Sequence, residues 1–214
     1  MTVQKLNRII ADYITIRLYC TKPYVMRSGL SKLKNMNSKI ISFAIEAHQK
    51  TNHLYDGKPY SVHLAMVVAY AQKYFDNDYI PEQCQETVIN ACWLHDTIED
   101  CRLTYNDVKE IAGEEVAEIV YAVSNEKGKN RKERANEKYY QGIRDTAWAT
   151  YVKLCDRLAN VKYSFDTKSR MLKVYKKENE DFLKQLITVD LKVSKYKPMV
   201  LELQNMLDAA LPDA

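Results

Sequence analysis

His95 and Asp96 stand side by side in the run LHDTIED, with Glu99 and Asp100 one turn further on. Read as a helix, 3.6 residues per turn set His95 above Glu99 and Asp96 above Asp100, all on roughly a third of the circumference. Trp93, Leu94 and Ile98 then form an opposite, buried flank. Three acids and an imidazole crowded on one face repel one another and are costly to desolvate, and a bound cation offsets that cost. A solvated, acid-rich helix end would carry the same residues, but it does not explain why they follow the apolar pair Trp93-Leu94 directly. The chain has only four histidines, His48, His53, His63 and His95. Mixed imidazole and carboxylate donors suit Mn, Fe, Zn or Ni.

Two other stretches carry residues of the same chemistry. In VKLCDRLAN, residues 152–160, Asp156 interrupts Val152, Leu154, Cys155 and Leu158 on an apolar helical face. A buried Asp needs a partner; here it is either an ion pair with Lys153 or Arg157, or a metal shell completed from a second helix. In DGKPYSVHLAMV, residues 56–67, a turn delivers His63 one turn into a new helix beside Leu64, Met66 and Val67. That His63 is either a packed core residue or a second imidazole of the site. A basic run, KGKNRKER at 127–134, sets five Lys/Arg against one Glu and reads by itself as a solvated loop.

The elements that must position these groups are helical. Apolar residues recur at three and four, while five Gly and five Pro leave little strand punctuation in 214 residues. The spacing predicts helices over 36–50, 60–75, 84–98, 115–123, 133–148, 147–163 and 168–178, with a break near 147. A long amphipathic helix is expected over 183–210. Thr104 with Asp107 caps a helix over DVKEIAG that closes at Gly113, and Pro59 and Pro81 fit first helical turns. Apolar residues at 46% and charged residues at 28% describe a globular chain large enough for one all-α domain. No apolar run approaches the roughly eighteen residues that cross a bilayer, and MTVQKLNRII lacks the core of a secretory signal. The five cysteines, Cys20, Cys84, Cys92, Cys101 and Cys155, are odd in number and contain no C-x-x-C, so reduced, buried thiols in a cytoplasmic protein are expected. A net charge of +4 is too mild to imply a nucleic-acid partner but suits an anionic ligand.

These stretches, in this order, resemble the HD superfamily of metal-dependent phosphohydrolases. More closely, they resemble the hydrolase domain of the Rel/Spo alarmone enzymes and the small alarmone hydrolases. The likeness runs over roughly residues 38–178, through FAIEAHQK, DGKPYSVH, ACWLHDTIED, GEEVAEIVYAVSNEKGKNRKER and VKLCDRLANVK. It implies a single HD-domain helical bundle over residues 36–214, C-terminal helices included, after a helical extension over 1–35. It implies four metal ligands, His63, His95, Asp96 and Asp156, holding Mn2+ or another divalent transition metal. Glu99 and Asp100 match the acidic pair that orients and deprotonates the attacking water, and Asn160 matches the Asn of D-x-L-x-N at the substrate side. The family removes the 3′-pyrophosphate of ppGpp or pppGpp, the alarmones of the stringent response, returning GDP or GTP. On that reading Lys127, Lys129, Arg131, Lys132 and Arg134 become candidates for gripping the diphosphate.

One stretch departs from the family pattern. An Arg-Lys pair usually precedes the DG-type turn, its Arg packed on the guanine; here His53 and Leu54 stand in those places. His53 or Tyr55 offers an aromatic face in exchange, at the loss of a fixed positive charge. The alternative is therefore an HD phosphohydrolase acting on another nucleotide. A non-catalytic nucleotide- or RNA-binding module would be favoured by the loss of a ligand or of Glu99, and all are present. A chain of 214 residues leaves no expected room for a synthetase domain. Oligomeric state is not legible.

Overall fold

The computed structural model describes residues 38–75, 80–125, 128–190 and 194–209; the side chains of Arg131 and Lys132 are outside the description. The extension expected over residues 1–35 and Lys127 lie outside it as well. The elements run α1 (Ser38–Lys50), a hairpin of β1 (Leu54–Tyr55) and β2 (Lys58–Pro59), α2 (Ser61–Lys73) and α3 (Glu82–Leu94). There follow α4 (Thr97–Asp100), α5 (Tyr105–Ala112), α6 (Glu114–Val123) and α7 (Arg131–Arg134). The chain continues through α8 (Glu137–Asp145), α9 (Ala149–Asp166), α10 (Met171–Leu186) and α11 (Lys197–Asp208). This is the all-α architecture the periodicity predicts. No helix among the described residues is long and apolar enough to cross a membrane.

The centre of the bundle is α9, packed between α2 and α11, with α3, α6, α8 and α10 around it. Its middle is deeply buried: Leu154, Cys155, Leu158, Ala159 and Val161 are wholly so. A helix buried all round has no solvated face for its polar groups, so Asp156 and Arg157, also buried, must find partners inside the protein. Trp93 and Leu94 of α3, Leu64 and Tyr70 of α2, and Tyr151 of α9 fill the core. The Tyr151 hydroxyl is satisfied by the Ala71 carbonyl at 2.6 Å.

Several boundaries follow from local chemistry. Thr104 and Asp107 form a reciprocal capping box at the start of α5, and Gly113 ends it at φ 87°. The break expected near 147 is real: Trp148 is left-handed at φ 66° and separates α8 from α9. Other expectations are corrected. The helix expected over 84–98 stops at Leu94 and restarts at Thr97, because Asp96 leaves helical geometry (φ −99°, ψ 0°) and the Thr97 hydroxyl donates to the Leu94 carbonyl at 2.7 Å. The helix expected over 133–148 is divided at Ala135–Asn136, where the Asn136 side chain caps α8. The amphipathic stretch 183–210 is not one helix; its start completes α10 through Leu186, and α11 begins at Lys197. Pro59 and Pro81 stand just before the first turns of α2 and α3 rather than in them.

Among the described residues the hairpin is the one sheet. Leu54 pairs with Pro59 and Tyr55 with Lys58 across Asp56-Gly57, both at positive φ (51° and 74°). Asp-Gly supplies the two left-handed residues that a two-residue hairpin turn demands. The hairpin closes the chain between α1 and α2 and presents Tyr55 and Tyr60 towards His63.

Candidate metal centre

Four side chains converge from α2, the α3–α4 break and α9. His63 Nε2 lies 3.3 Å from His95 Nε2. Asp96 Oδ2 is 2.9 Å from His95 Nε2 and 3.5 Å from His63 Nε2. Asp156 Oδ1 is 3.3 Å from His63 Nε2 and 3.8 Å from His95 Nε2. His63, His95 and Asp156 thus offer one donor each within 4.8 Å of one another. The break at Asp96 matters: leaving the helical path at this residue lets adjacent side chains, His95 and Asp96, reach one point.

The donor set fits a divalent cation. Ligands about 2.0–2.2 Å from a common ion stand about 3 Å or a little more apart, and the His63, His95 and Asp156 atoms do, with Asp96 Oδ2 within the same reach of the two imidazoles. His95 Nδ1 is 3.0 Å from the Cys92 carbonyl, an acceptor only, so Nδ1 carries the proton and Nε2 is free to ligate. His63 and His95 are each 1% exposed. Burial alone would push His95 down, but Asp96 and Asp156 outweigh it and hold the imidazole up at about 10. Burial alone would raise both carboxyls; His95 beside Asp96, and Lys153 beside Asp156, hold them well below the usual carboxylate range. Two carboxylates kept ionised against two buried imidazoles mark a site built for positive charge, which a metal ion would supply in place of protons on the Nε2 atoms.

Around the donors stand groups that orient them. The Tyr60 hydroxyl donates to Asp96 Oδ2 at 2.5 Å. Asn160 Nδ2 donates to Asp156 Oδ1 at 2.6 Å, and the Tyr55 hydroxyl donates to Asn160 Oδ1 at 3.0 Å. Burial and nearby carboxylates push both tyrosine hydroxyls upward, so they stay protonated donors. Lys153 Nζ pairs with Asp156 Oδ2 at 3.1 Å. Of the two readings the sequence leaves for Asp156, the ion pair with Lys153 is formed by one oxygen, while the other oxygen faces the imidazoles.

Glu99 and Asp100 lie at the edge of the donors. Asn125 Nδ2 reaches both Glu99 carboxylate oxygens at 2.9 Å, and Arg134 Nη1 stands 4.0 Å from one of them. Burial raises Asp100, and the charges of Asp96 and Glu99 add to it, bringing the carboxyl to about 7. Both acids, with Asp96, Asp156 and Asn160, line a cavity of about 780 Å³. Its lining from α9 and α10 includes Lys153, Arg157, Tyr175, Lys177 and Phe182, with the acids Glu178 and Asp181. Arg157 lies over Phe182, 4.1 Å from the ring centre, and near Glu178 at 3.8 Å.

The residues expected to contact a base, His53 and Tyr55, pack beside the donors. His53 packs on Tyr60 at 4.1 Å, shares a hydrogen bond with His48 (Nδ1 to Nδ1, 3.0 Å) and stands 3.6 Å from Asp100. Tyr55 stacks on His63 at 4.9 Å and leans on Tyr163 at 4.6 Å. Neither is among the residues lining the cavity. Of the basic run, Arg134 lines it and the exposed Lys129 does not. Sequence reasoning passed over Tyr60 and Asn125. Tyr60 lies inside the quoted PYSVH motif, but a hydroxyl aimed across space leaves no spacing signature; Asn125 follows α6 with none at all.

The HD domain family model matches residues 41–183 of this chain. The chain belongs to the HD-domain family. Among curated relatives, it is 29% identical to a guanosine-3′,5′-bis(diphosphate) 3′-pyrophosphohydrolase of Danio rerio over 57% of this chain and 65% of the relative. It is 39% identical to a guanosine-3′,5′-bis(diphosphate) 3′-pyrophosphohydrolase of Aquifex aeolicus over 56% of this chain and 16% of that protein. The chain therefore spans just under two thirds of the first relative's length and about a sixth of the second's. Among solved structures, a metazoan ortholog of SpoT that hydrolyzes ppGpp superposes with a TM-score of 0.58 at 19% identity, covering 82% of this chain and 98% of its own. At that identity the likeness is one of fold.

Proposed function

We propose that this chain is a divalent-metal-dependent hydrolase that removes the 3′-pyrophosphate of ppGpp or pppGpp, with Mn2+ held by His63, His95, Asp96 and Asp156. The observation that carries the reading is the convergence of these four side chains, two of which, Asp96 and Asp156, also line a nucleotide-sized cavity that carries charges of both signs. The pyrophosphohydrolase names of the relatives support the substrate. A bound divalent ion acidifies water and neutralises phosphoryl charge.

The chain's own residues supply the rest. Glu99, its two oxygens turned towards the Asn125 amide, is oriented to hold a water and accept its proton. Asp100 adds a second carboxyl beside it in the lining of the same cavity. Lys153 and Arg157, with Arg134 at the rim, take the charge of the phosphoryl oxygens; in the low-dielectric cavity fixed cations act more strongly than in water. Asn160 holds Asp156 and meets the substrate on the cavity side. Lys127, Lys129 and Arg131 remain proposed diphosphate contacts, and His53 and Tyr55 proposed base contacts. The protein is proposed to work in the cytoplasm.

The replacement of the family's Arg-Lys pair by His53-Leu54 favours one second reading, an HD hydrolase with a nucleotide substrate other than a guanosine alarmone. A nucleotide panel with Mn2+ separates the two. Turnover of ppGpp above that of other nucleotides is expected; turnover of another nucleotide with none of ppGpp would overturn the first reading.

A further inference from the structure

The hairpin β1–β2 is short, yet it delivers two tyrosines, one from each side of its Asp56-Gly57 turn, to the metal donors. Tyr60 donates to Asp96 Oδ2, the very oxygen that stands 2.9 Å from His95 Nε2. Tyr55 acts through Asn160. Its hydroxyl occupies Asn160 Oδ1 at 3.0 Å, which fixes the amide so that its NH2 faces Asp156 Oδ1 at 2.6 Å. The amide NH2 also reaches the Asp156 main-chain carbonyl at 3.2 Å, so the Tyr55 hydroxyl completes a fixed set of partners around Asn160. The rings act as well: His63 stacks on Tyr55 at 4.9 Å and meets Tyr60 edge-on at 5.3 Å. Three of the four donors, from three separate elements, thus take their orientation from one six-residue segment.

We propose that Tyr55 and Tyr60 are positioning residues that hold His63, Asp96 and Asp156 in ligating geometry, so that the hairpin sets metal affinity. This rests on the metal-dependent reading above and adds to it. Groups that orient metal ligands typically change affinity ten- to hundredfold when removed. Tyr→Phe removes only the oxygen and keeps the ring contacts.

The test is calorimetric binding of Mn2+ alone to the full chain and to Tyr60→Phe and Tyr55→Phe, with thermal melting of the metal-free proteins alongside. Each variant is expected to bind Mn2+ about ten- to hundredfold more weakly while its metal-free melting stays that of the parent. Tyr163→Phe is the comparison: its hydroxyl reaches the same turn, at Asp56 Oδ2, 3.0 Å, but touches no donor, and its affinity is expected to be unchanged. Parental affinity in both Tyr55→Phe and Tyr60→Phe overturns the proposal, as does a loss of metal-free melting temperature with affinity intact. A parent chain that binds no Mn2+ overturns both this proposal and the proposed function. Mn2+ binding that depends on the hydroxyls, in a chain that leaves ppGpp intact, supports the positioning role and refutes the substrate alone.

Discussion

Glu99 makes its contacts outside the imidazole cluster, with Asn125 and Arg134. Glu99→Gln should therefore keep the metal and lower turnover by about two to four orders of magnitude, the range of general acid–base catalysis. Asp96→Asn should lose metal and activity together, because the amide lacks the ligand's charge; metal content and initial rates on the same preparations read both. A Glu99→Gln chain as active as the parent would remove Glu99 from the chemistry. Asp100 gives a pH signature. Burial and its acidic neighbours raise it from the ordinary 3.8 to about 7, so between those values the native, metal-free chain holds a proton that the unfolded chain has released. Stability then falls as pH rises through this window. Asp100→Asn cannot titrate, and its melting temperature should decline less between pH 4 and 7; equal slopes would contradict the shift.

At the scale of elements, the hairpin turn is the sensitive point. Gly57 sits at φ 74°, where a side chain strains the backbone. Gly57→Val should cost about 1–2 kcal/mol, read as a lower melting temperature, and should weaken Mn2+ binding by shifting both tyrosines. The helices themselves were legible, because long apolar faces repeat at the helical period and caps such as Thr104–Asp107 have a local signature. The break between α3 and α4 was not. Its cause is the Thr97 hydroxyl returning to Leu94 and the pull of tertiary partners on His95 and Asp96, and neither alters the apolar pattern. The hairpin escaped for another reason: two residues a side are too short for strand alternation to register. The four donors were legible as motif residues, whereas Tyr60 and Asn125 act through contacts that only the folded chain creates.

For the whole molecule, the cluster joins α2, the α3–α4 break and α9, so a bound ion would tie the middle of the bundle together. Linkage then requires stability to follow metal concentration. At a hundred times Kd, Mn2+ should add about 2.7 kcal/mol, or about 5–10 °C of melting temperature for a chain of this size. A chelator should reverse it, and no shift would mean that the four side chains do not bind the ion together. The cavity beside the cluster carries both signs of charge: Glu99, Asp100, Glu178 and Asp181 with Arg134, Lys153, Arg157 and Lys177. Those cations suit a phosphoanion held beside the acids.

The central claim is metal-dependent removal of a 3′-diphosphate, and the most direct measurement is the product released from ppGpp by the full chain with Mn2+ and after chelation. The account predicts GDP and diphosphate in equal amounts with Mn2+ and neither after chelation. Orthophosphate as the product, or a rate indifferent to chelation, would contradict it.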